Sequence, residues 1–442
     1  MLGQEAPCIV TPPPGPRSRE FALRLARAEY PANVARRALR EEASGVSQLP
    51  ITYATAQGSN VVDVDGNRYV DLTAGFGALL LGHNDRGSAE ALRRQAGRLW
   101  HALGDVYPSD AKIELLEALT ALAPFPDARV ILGQSGADAV SAALKTALLT
   151  TGKPGVVAFE GAYHGLSYGP LAVCGYRNSF REPFRPQLNP HVRFIPFPSG
   201  ARDASEALDA LEGVLRSRNV GAVLVEPILG RGGCIPAPAG FLQAVGELTR
   251  RYEALVIVDE IWTGLGRSGS FLLSVEQGLL ADLICLGKGL GGGLPLSACL
   301  GTPAAMHGWT RGRGDVVHTS TFSGSPLACA TALTLLSELR RQDLSRRSAV
   351  VGAAWVEKLH THLRGIPGYV EVRGAGLMVG VELTSAAVAF EVGRKLLTDG
   401  YITLGGGRDY EALTLTPPLT IEEHLLDSFT EALVLRLREA VR

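Results

Sequence analysis

Short runs of apolar and β-branched residues recur through the middle of the chain, and helix-favouring stretches separate most of them. Such runs predict buried strands, because a strand that is covered on both faces has no side that needs polar residues. The predicted strands cover residues 129–134, 155–161, 192–197, 221–227, 254–260 and 282–287. The predicted helices between them include residues 136–149, 204–217 and 239–252. This alternation predicts an α/β fold with a mostly parallel sheet, and such sheets bind ligands at the carboxyl ends of their strands.

The two ends of the chain follow a different pattern. Near the N-terminus, residues 17–28 predict a helix and residues 60–72 predict a β-hairpin. The C-terminal part mixes predicted helices and strands, at 326–340, 349–363, 369–383 and 412–419. A last helix follows, and Thr420 and Glu423 are predicted to form its capping box.

These patterns predict a chain of two domains. Residues 75–325 form the large domain that contains the parallel sheet. Residues 326–442 form a smaller α+β domain, which the N-terminal segment 1–74 joins. The length of 442 residues agrees with two domains, because a single hydrophobic core rarely grows to that size.

Composition and charge exclude several classes of protein. The net charge of -1 and the pI of about 6.8 provide no basic surface for nucleic acid. No apolar run is long enough to predict a transmembrane helix, and the N-terminus lacks the pattern of a secretion signal. The six cysteines lack the spacing of a zinc site or a disulfide framework, so we expect no metal and a cytoplasmic location.

One stretch, "ICLGKGLGGGLPLSA" at residues 284–298, brings Lys288 to the end of a predicted buried strand. Six glycines lie between residues 287 and 301. Taken alone, the stretch is compatible with a solvated lysine in a glycine-rich turn. It is also the arrangement needed by an amine that forms a Schiff base, because glycines let a bulky carbonyl compound approach.

Polar residues follow other predicted strands at the same edge of the sheet. Ser135 stands where a strand gives way to a helix, so its hydroxyl and the following amides are either an anion cradle or a plain helix cap. Tyr163 is a candidate for stacking on a flat ring, and His164 is a candidate for supporting it. Glu226 and Asp259 end two successive strands, and a carboxylate carried to a buried position is costly unless it meets a cation.

A single ligand accounts for this set of residues. It has a phosphate, a flat ring, a ring nitrogen that Asp259 keeps protonated, and a carbonyl that Lys288 attacks. Pyridoxal 5'-phosphate has all four features. The residues therefore predict that Lys288 holds this cofactor as a Schiff base and then moves a proton of the substrate.

The chain resembles the class III aminotransferases of fold type I. The resemblance is carried by "VDEIWTGLGRSG" at 258–269 with "LGKG" after it, and by "AYHG", "VEPILGRGG", "TSTFSGSPLACA" and "TPPLTIEEH". It extends over nearly the whole chain. It implies a seven-stranded, mostly parallel sheet in a large domain that binds pyridoxal phosphate, with a smaller α+β domain. It also implies a homodimer with shared active sites.

The resemblance assigns roles to individual residues. Lys288 and Asp259 keep the roles given above. The implied cofactor contacts are Ser135, Gly136 and Ala137 as the phosphate cup, Tyr163 and Ile261 on the two faces of the ring, His164 and Glu226 near it, and Thr321 at the phosphate of the neighbouring subunit.

Three positions near the substrate depart from the family pattern. Trp262 stands where many members that act on ω-amino acids have glutamine. Those members pair a glutamate with an arginine, and here the two positions are Arg231 and Thr414. The paired change is either neutral drift or a move of the carboxylate-binding charge to Arg231. Arg408 is a second candidate for binding the carboxylate.

Two reactions agree best with these residues, and a decarboxylase or an aminomutase also stays open. The first is an aminotransferase that moves an amino group between an amino acid or ω-amine and a 2-oxo acid. The alternative is a racemase or epimerase of the same family, since both reactions begin by removing the α-proton. The racemase would need an acid on each face of the ring, and the sequence does not supply an obvious second one. Neither reaction involves nucleic acid or a membrane.

Overall fold

The computed structural model describes residues 3–311 and 314–441. It contains two compact units, one made of Met1–Asp85 with Arg346–Arg442 and the other of Arg86–Ser345. Their boundaries lie further along the chain than the predicted boundaries after residues 74 and 325. The helix Pro326–Arg341, expected in the small domain, lies in the second unit because it packs on the helices Arg86–Ala96 and Asp110–Leu122.

Most strands are short. In chain order they are β1 (Tyr53–Gln57), β2 (Asn60–Asp63), β3 (Arg68–Asp71), β4 (Arg129–Gly133), β5 (Gly155–Phe159), β6 (Val192–Ile195), β7 (Val220–Val225), β8 (Ile228–Leu229), β9 (Ile235–Pro236), β10 (Leu255–Asp259), β11 (Leu283–Leu286), β12 (Ser297–Gly301), β13 (Tyr369–Ala375), β14 (Met378–Leu383), β15 (Tyr401–Ile402), β16 (Leu404–Gly406) and β17 (Ala412–Leu415).

The helices range from single turns to long segments. In chain order they are α1 (Pro16–Ala28), α2 (Pro31–Ser44), α3 (Ala74–Gly77), α4 (Arg86–Ala96), α5 (Asp110–Leu122), α6 (Gly136–Thr151), α7 (Tyr168–Ala172), α8 (Asn178–Arg181), α9 (Ala201–Leu215), α10 (Phe241–Arg251), α11 (Leu273–Glu276), α12 (Pro303–Met306), α13 (Pro326–Arg341), α14 (Leu344–Leu363), α15 (Ala386–Thr398) and α16 (Glu423–Ala440). Short 3-10 helices cover Glu182–Gln187, Lys288–Gly291 and His307–Arg311. Within the described residues, none of the helices is long and apolar enough to cross a membrane.

A seven-stranded sheet forms the centre of the second unit, in the order β4-β12-β11-β10-β7-β5-β6. Strand β12 is antiparallel to both neighbours, and the pairs β11–β10, β10–β7, β7–β5 and β5–β6 are parallel. The predicted α/β fold with a mostly parallel seven-stranded sheet is confirmed. Strands β5 and β7 are buried at every position, which explains why they lack alternating polar residues.

Helix α6 covers one face of this sheet. Its alanines and valine pack on side chains of β5, β7, β10 and β11. Small residues on the helix let its axis lie close to the strands. The helix therefore begins at the carboxyl end of the sheet, beside the points where β10 and β11 stop.

The first unit contains two four-stranded sheets, in the orders β1-β2-β3-β15 and β13-β14-β17-β16. Strands β2 and β3 are antiparallel, so the predicted hairpin is confirmed. The predicted capping box of the last helix is wrong. Helix α16 begins at Glu423 after Glu422, without a side-chain cap, and the Thr420 hydroxyl instead donates to the Leu81 carbonyl at 3.3 Å.

Candidate active site

Lys288 stands just beyond the end of β11, at the first position of a short 3-10 helix. Its φ is +37°, a backbone conformation that costs a non-glycine residue roughly 1 kcal/mol or more. The preceding Gly287 leaves little room for a side chain, because a Cβ there would lie 3.2 Å from Cγ2 of Ile261 and 3.4 Å from Cα of Gly136. The glycine therefore lets β11, the start of α6 and Ile261 meet next to the lysine.

Asp259 ends β10 and is almost completely buried. One carboxylate oxygen accepts the backbone N–H of Ile261 at 3.0 Å, and the other accepts Nδ1–H of His164 at 2.8 Å. His164 is also buried, and its Nε2 has no hydrogen-bond partner among the described residues. The imidazole thus fixes the carboxylate in one orientation at the edge of the sheet.

Glu226 follows β7 and is buried beside this pair. Its carboxylate accepts the backbone N–H of Tyr163 at 2.8 Å and that of Gly230 at 3.2 Å. Burial raises the pKa of Glu226 to about 7, with His164 acting in the opposite direction and Asp259 in the same direction. The carboxyl group therefore anchors the loop that carries Tyr163.

The Lys288 side chain is partly buried among groups of both signs. Burial lowers the pKa of Lys288 to about 8. Asp259 and Glu226 raise that pKa, and Arg231 lowers it. The Nζ atom lies 4.2 Å from the ring centroid of Trp262. The amine can consequently exchange a proton near neutral pH, which an ordinary lysine does poorly.

The N-terminus of α6 faces the same region. Ser135 caps the helix by accepting the N–H of Asp138 at 3.3 Å. The Asp138 carboxylate accepts the N–H groups of Gln134 and Ser135, each at 3.0 Å. The amides of Gly136 and Ala137 open the helix and have no acceptor within it, so they can donate to an anion bound there.

Close contacts join this helix start to the neighbouring loops. A Cβ on Gly136 would lie 2.8 Å from Cδ1 of Ile261, and a Cβ on Gly165 would lie 2.8 Å from Cβ of Ala137. The glycine after Tyr163 and His164 therefore packs on Ala137 at the start of the helix. The anion donors, the aromatic loop and Ile261 are brought together by contacts between backbone and small side chains.

Arg231 lies within an aromatic cluster. Its guanidinium carbon is 4.8 Å from the ring centroid of Tyr163, 5.3 Å from that of Tyr176 and 6.0 Å from that of Phe180. Burial raises the pKa of Tyr163, and the Arg231 charge and its hydrogen bond to the hydroxyl oppose that rise. Three rings thus hold the guanidinium in place near Lys288, whose pKa it lowers.

Two further candidate residues are Thr321 and Arg408. Thr321 is exposed on the loop before α13. Arg408 belongs to the first unit, where its backbone N–H donates to Oε1 of Glu411 at 3.1 Å. Thr414, at the position of the family's carboxylate-binding arginine, is buried in β17.

Sequence reasoning missed several residues of the site. Asp138 could have been found, because serine and aspartate three residues apart at a helix start indicate a capping box. Tyr176 and Phe180 could not, since only the folded chain brings them to Arg231. The packing of Gly287 on Ile261 is likewise a contact between segments that are distant in sequence.

The residues fit pyridoxal phosphate. The helix amides suit its phosphate, and buried Asp259 suits its ring nitrogen. The Lys288 amine suits its aldehyde. Two buried ring nitrogens, Nε2 of His164 and Nε1 of Trp262, have no partner among the described residues, so the site offers polar atoms that a ligand can satisfy.

Comparisons with known proteins agree with this geometry. Residues 42–437 match the family described as "Aminotransferase class-III". The chain is 36% identical over 388 residues to the acetylornithine aminotransferase of Mycolicibacterium smegmatis, covering 87% of this chain and 93% of the relative. It is 34% identical to that of Methanosarcina acetivorans, over 87% of this chain and 91% of the relative.

Solved structures give the same result. The ornithine aminotransferase of Toxoplasma gondii superposes with a TM-score of 0.81 at 30% identity, covering 89% of this chain and 91% of that chain. An amine transaminase from an uncultivated Pseudomonas species, in its pyridoxal-phosphate-bound form, also has a TM-score of 0.81, at 27% identity, over 88% of this chain and 95% of that chain.

Proposed function

Since the chain belongs to the class III aminotransferases, we propose that its amino donor carries a carboxylate and that Arg231 binds this carboxylate. The enzyme is a pyridoxal-phosphate-dependent aminotransferase that moves an amino group between an amino acid or ω-amine and a 2-oxo acid. The racemase alternative is not favoured, because the curated relatives described above are named as aminotransferases.

The chain's own side chains divide the catalytic work. When bound, pyridoxal phosphate supplies an aldehyde for the amine and a ring that withdraws electrons from the reacting carbon. Asp259 keeps a proton on the ring nitrogen, and His164 orients its carboxylate. Lys288 Nζ takes the proton from the carbon that bears the donor's amino group and later returns one. Tyr163 and Ile261 exclude water from the two faces of the ring, and Ser135, Gly136 and Ala137 hold the phosphate.

The position of Arg231 is the observation that carries the substrate proposal. Its guanidinium is held by Tyr163, Tyr176 and Phe180, and its charge acts on Lys288. An arginine whose orientation is already fixed loses little side-chain entropy when it binds a carboxylate. The family's usual arginine is replaced by Thr414, which has no charge, so Arg231 takes over its function.

Arg231→Met tests this proposal, because methionine keeps an apolar side chain among the three rings and removes the charge. A guanidinium–carboxylate pair in a partly dry pocket contributes about 2–4 kcal/mol. We therefore expect KM to rise roughly 30-fold or more for a carboxylate-bearing donor. A simple amine donor should show a much smaller change. Steady-state kinetics with N-acetylornithine, ornithine, common amino acids and a simple amine would measure both effects.

The ratio of the two changes decides the interpretation. Loss of the Arg231 charge also shifts the Lys288 pKa, but this effect is common to all donors and cancels in the comparison. Arg408→Ala is the matched control and should leave both KM values within about threefold. Equal changes for carboxylate and amine donors in Arg231→Met, or a selective change in Arg408→Ala, would refute the assignment.

We also propose that the enzyme is a homodimer in which Thr321 reaches the phosphate of the neighbouring subunit. The segment 99–107 exposes several large apolar side chains beside Phe322, a patch that isolated soluble chains rarely expose. The loop that carries Thr321 is held by hydrogen bonds from Thr319 to Asp105 and from Gln134 to Ser320, which leave Thr321 itself exposed. A second copy of the chain is the occupant that would complete the site.

Val106→Asp tests the dimer, since Val106 is 66% exposed within this patch. We expect the variant to sediment as a monomer and to release its cofactor on dilution, because an unpaired charge at the centre of an apolar interface is costly. Leu280→Asp is the matched control, because Leu280 is 68% exposed but lies elsewhere in the unit. A Val106→Asp protein that stays dimeric, or a fully active monomer, would contradict the proposal.

The buried cysteines support a cytoplasmic location, which we also propose. Cys174, Cys285, Cys299 and Cys329 are buried as thiols within the second unit. Burial raises the pKa of Cys174 and Cys329, so these thiols are unreactive and need no oxidising compartment.

A further inference from the structure

The indole of Trp262 covers the reactive end of Lys288. The distance from Nζ to the ring centroid is 4.2 Å, well inside the range in which an ammonium is attracted by an aromatic face. Tryptophan is the most effective residue for this interaction. The two residues come from adjacent strand ends, because Trp262 follows β10 and Lys288 follows β11.

We propose that Trp262 is a positioning residue that holds the Lys288 amine and stabilises its protonated form when the lysine is not bonded to the cofactor. The proposal rests on the proposed function, in which Lys288 alternates between binding the aldehyde and carrying a proton. The ring face would keep the released amine beside the reacting carbon. It would do so without a carboxylate, which would compete with Asp259 for the charge of the cofactor ring.

The surroundings of Nζ support this role. Nζ makes no hydrogen bond or ion pair within the part of the chain that the structure describes. The nearby carboxylates are held by other donors, Asp259 by His164 and Ile261, and Glu226 by two backbone amides. Arg231 repels the ammonium. The aromatic face is therefore the direct contact that favours the charged amine.

The contact acts against burial, which lowers the pKa of Lys288 to about 8. The charges of Asp259 and Glu226 raise the pKa of Lys288, as the indole is expected to do. The charge of Arg231 lowers that pKa, as burial does. His164 contacts Asp259 through Nδ1. An amine that must both remove and return a proton works best when these influences nearly balance. Removing the indole should tilt the balance toward the neutral amine.

Fluorinated tryptophan provides a test that leaves shape almost unchanged, because each fluorine weakens the negative face of the ring. The full-length protein would be prepared without cofactor, so that Lys288 is a primary amine. Reductive methylation with formaldehyde and cyanoborohydride would be followed against pH, with the Lys288 peptide quantified by mass spectrometry. We expect the midpoint for Lys288 to fall stepwise as fluorine is added. Trp262→Leu should lower it by about half to one and a half pH units, and Trp262→Phe by less.

The controls separate this effect from a structural one. The chain has four tryptophans, so fluorinated tryptophan in the Trp262→Phe variant measures any effect of the other three. Fluorination should leave the Lys288 midpoint of that variant unchanged. Unchanged midpoints in fluorinated wild-type protein, or equal shifts in the leucine and phenylalanine variants, would overturn the proposal. The methylation midpoint is measured without cofactor or turnover, so it tests the role of Trp262 alone. The carboxylate-donor proposal is tested separately, by the kinetics of Arg231→Met.

Discussion

Lys288→Ala is expected to abolish transamination and to remove the visible absorption that the loaded enzyme owes to its covalent link with the cofactor. No other amine can substitute, because the remaining lysines stand at other places in the fold. They are Lys112, Lys145, Lys153, Lys358 and Lys395. On the proposed function, the variant loses the one amine that both binds the aldehyde and moves the proton. We expect a fall in kcat of at least about four orders of magnitude, measured by single-turnover and steady-state kinetics.

Two further variants sharpen this test. Lys395→Ala removes a lysine that pairs with Glu391 on helix α15, and it should retain full activity because partly exposed ion pairs one helical turn apart contribute little. Adding a small primary amine to Lys288→Ala should restore a fraction of the turnover by supplying the missing base. Activity of Lys288→Ala close to the wild type would refute the catalytic assignment, whereas rescue by the amine would localise the defect to proton transfer.

Asp259→Asn is expected to lower kcat by roughly two to four orders of magnitude. The carbonyl oxygen of asparagine can still accept the N–H of Ile261, and its NH2 group can donate to Nδ1 of His164 in the other ring tautomer, so the site keeps its shape. On the proposed function, the variant loses the charge that keeps the cofactor's ring nitrogen protonated. Each factor of ten in rate corresponds to about 1.4 kcal/mol of activation free energy. The expected fall in kcat therefore means that one buried carboxylate lowers the barrier by several kcal/mol, on the order of 3–5.

The control for Asp259→Asn is Asp209→Asn on the exposed face of helix α9, which removes the same charge from the protein without touching the site. It should change kcat by less than twofold. Comparison of thermal unfolding for both variants would show whether the Asp259 variant is folded. A folded Asp259→Asn enzyme with less than a tenfold loss would mean that this carboxylate does not bind the ring nitrogen.

The sequence predicted most strands of the central sheet because their apolar runs are set by burial on both faces. It did not predict β12, whose small residues Ser297, Ala298 and Gly301 have weak strand preference. That strand owes its conformation to its antiparallel neighbours β4 and β11. Tertiary pairing thus outweighed local preference, and no pattern in the stretch itself could have indicated it.

Some residues of the candidate site could likewise be predicted from the sequence, and others could not. Asp259 and Lys288 were predictable because each interrupts an apolar run at the edge of a sheet. The aromatic cluster around Arg231 was not, since Tyr176 and Phe180 follow a different strand from Arg231 and show no periodic pattern. The Trp262 contact with Lys288 was hidden for the same reason, because its distance depends on how two loops turn after their strands.

The first unit is built from two segments that are distant in the sequence, and this sets the order in which the two units can fold during synthesis. Strand β3 pairs with β15, where Val70 lies opposite Tyr401 and Asp71 opposite Ile402. On the ribosome, the early strand emerges long before its partner exists, whereas the continuous segment Arg86–Ser345 is complete much sooner. The cofactor-binding unit can therefore fold before β3 has a partner strand. Pairing of β3 with β15 is slow because it joins residues that are more than 300 positions apart in the sequence. During that interval the edge of β3 that β15 later covers is unpaired, and such an edge is open to pairing with another chain.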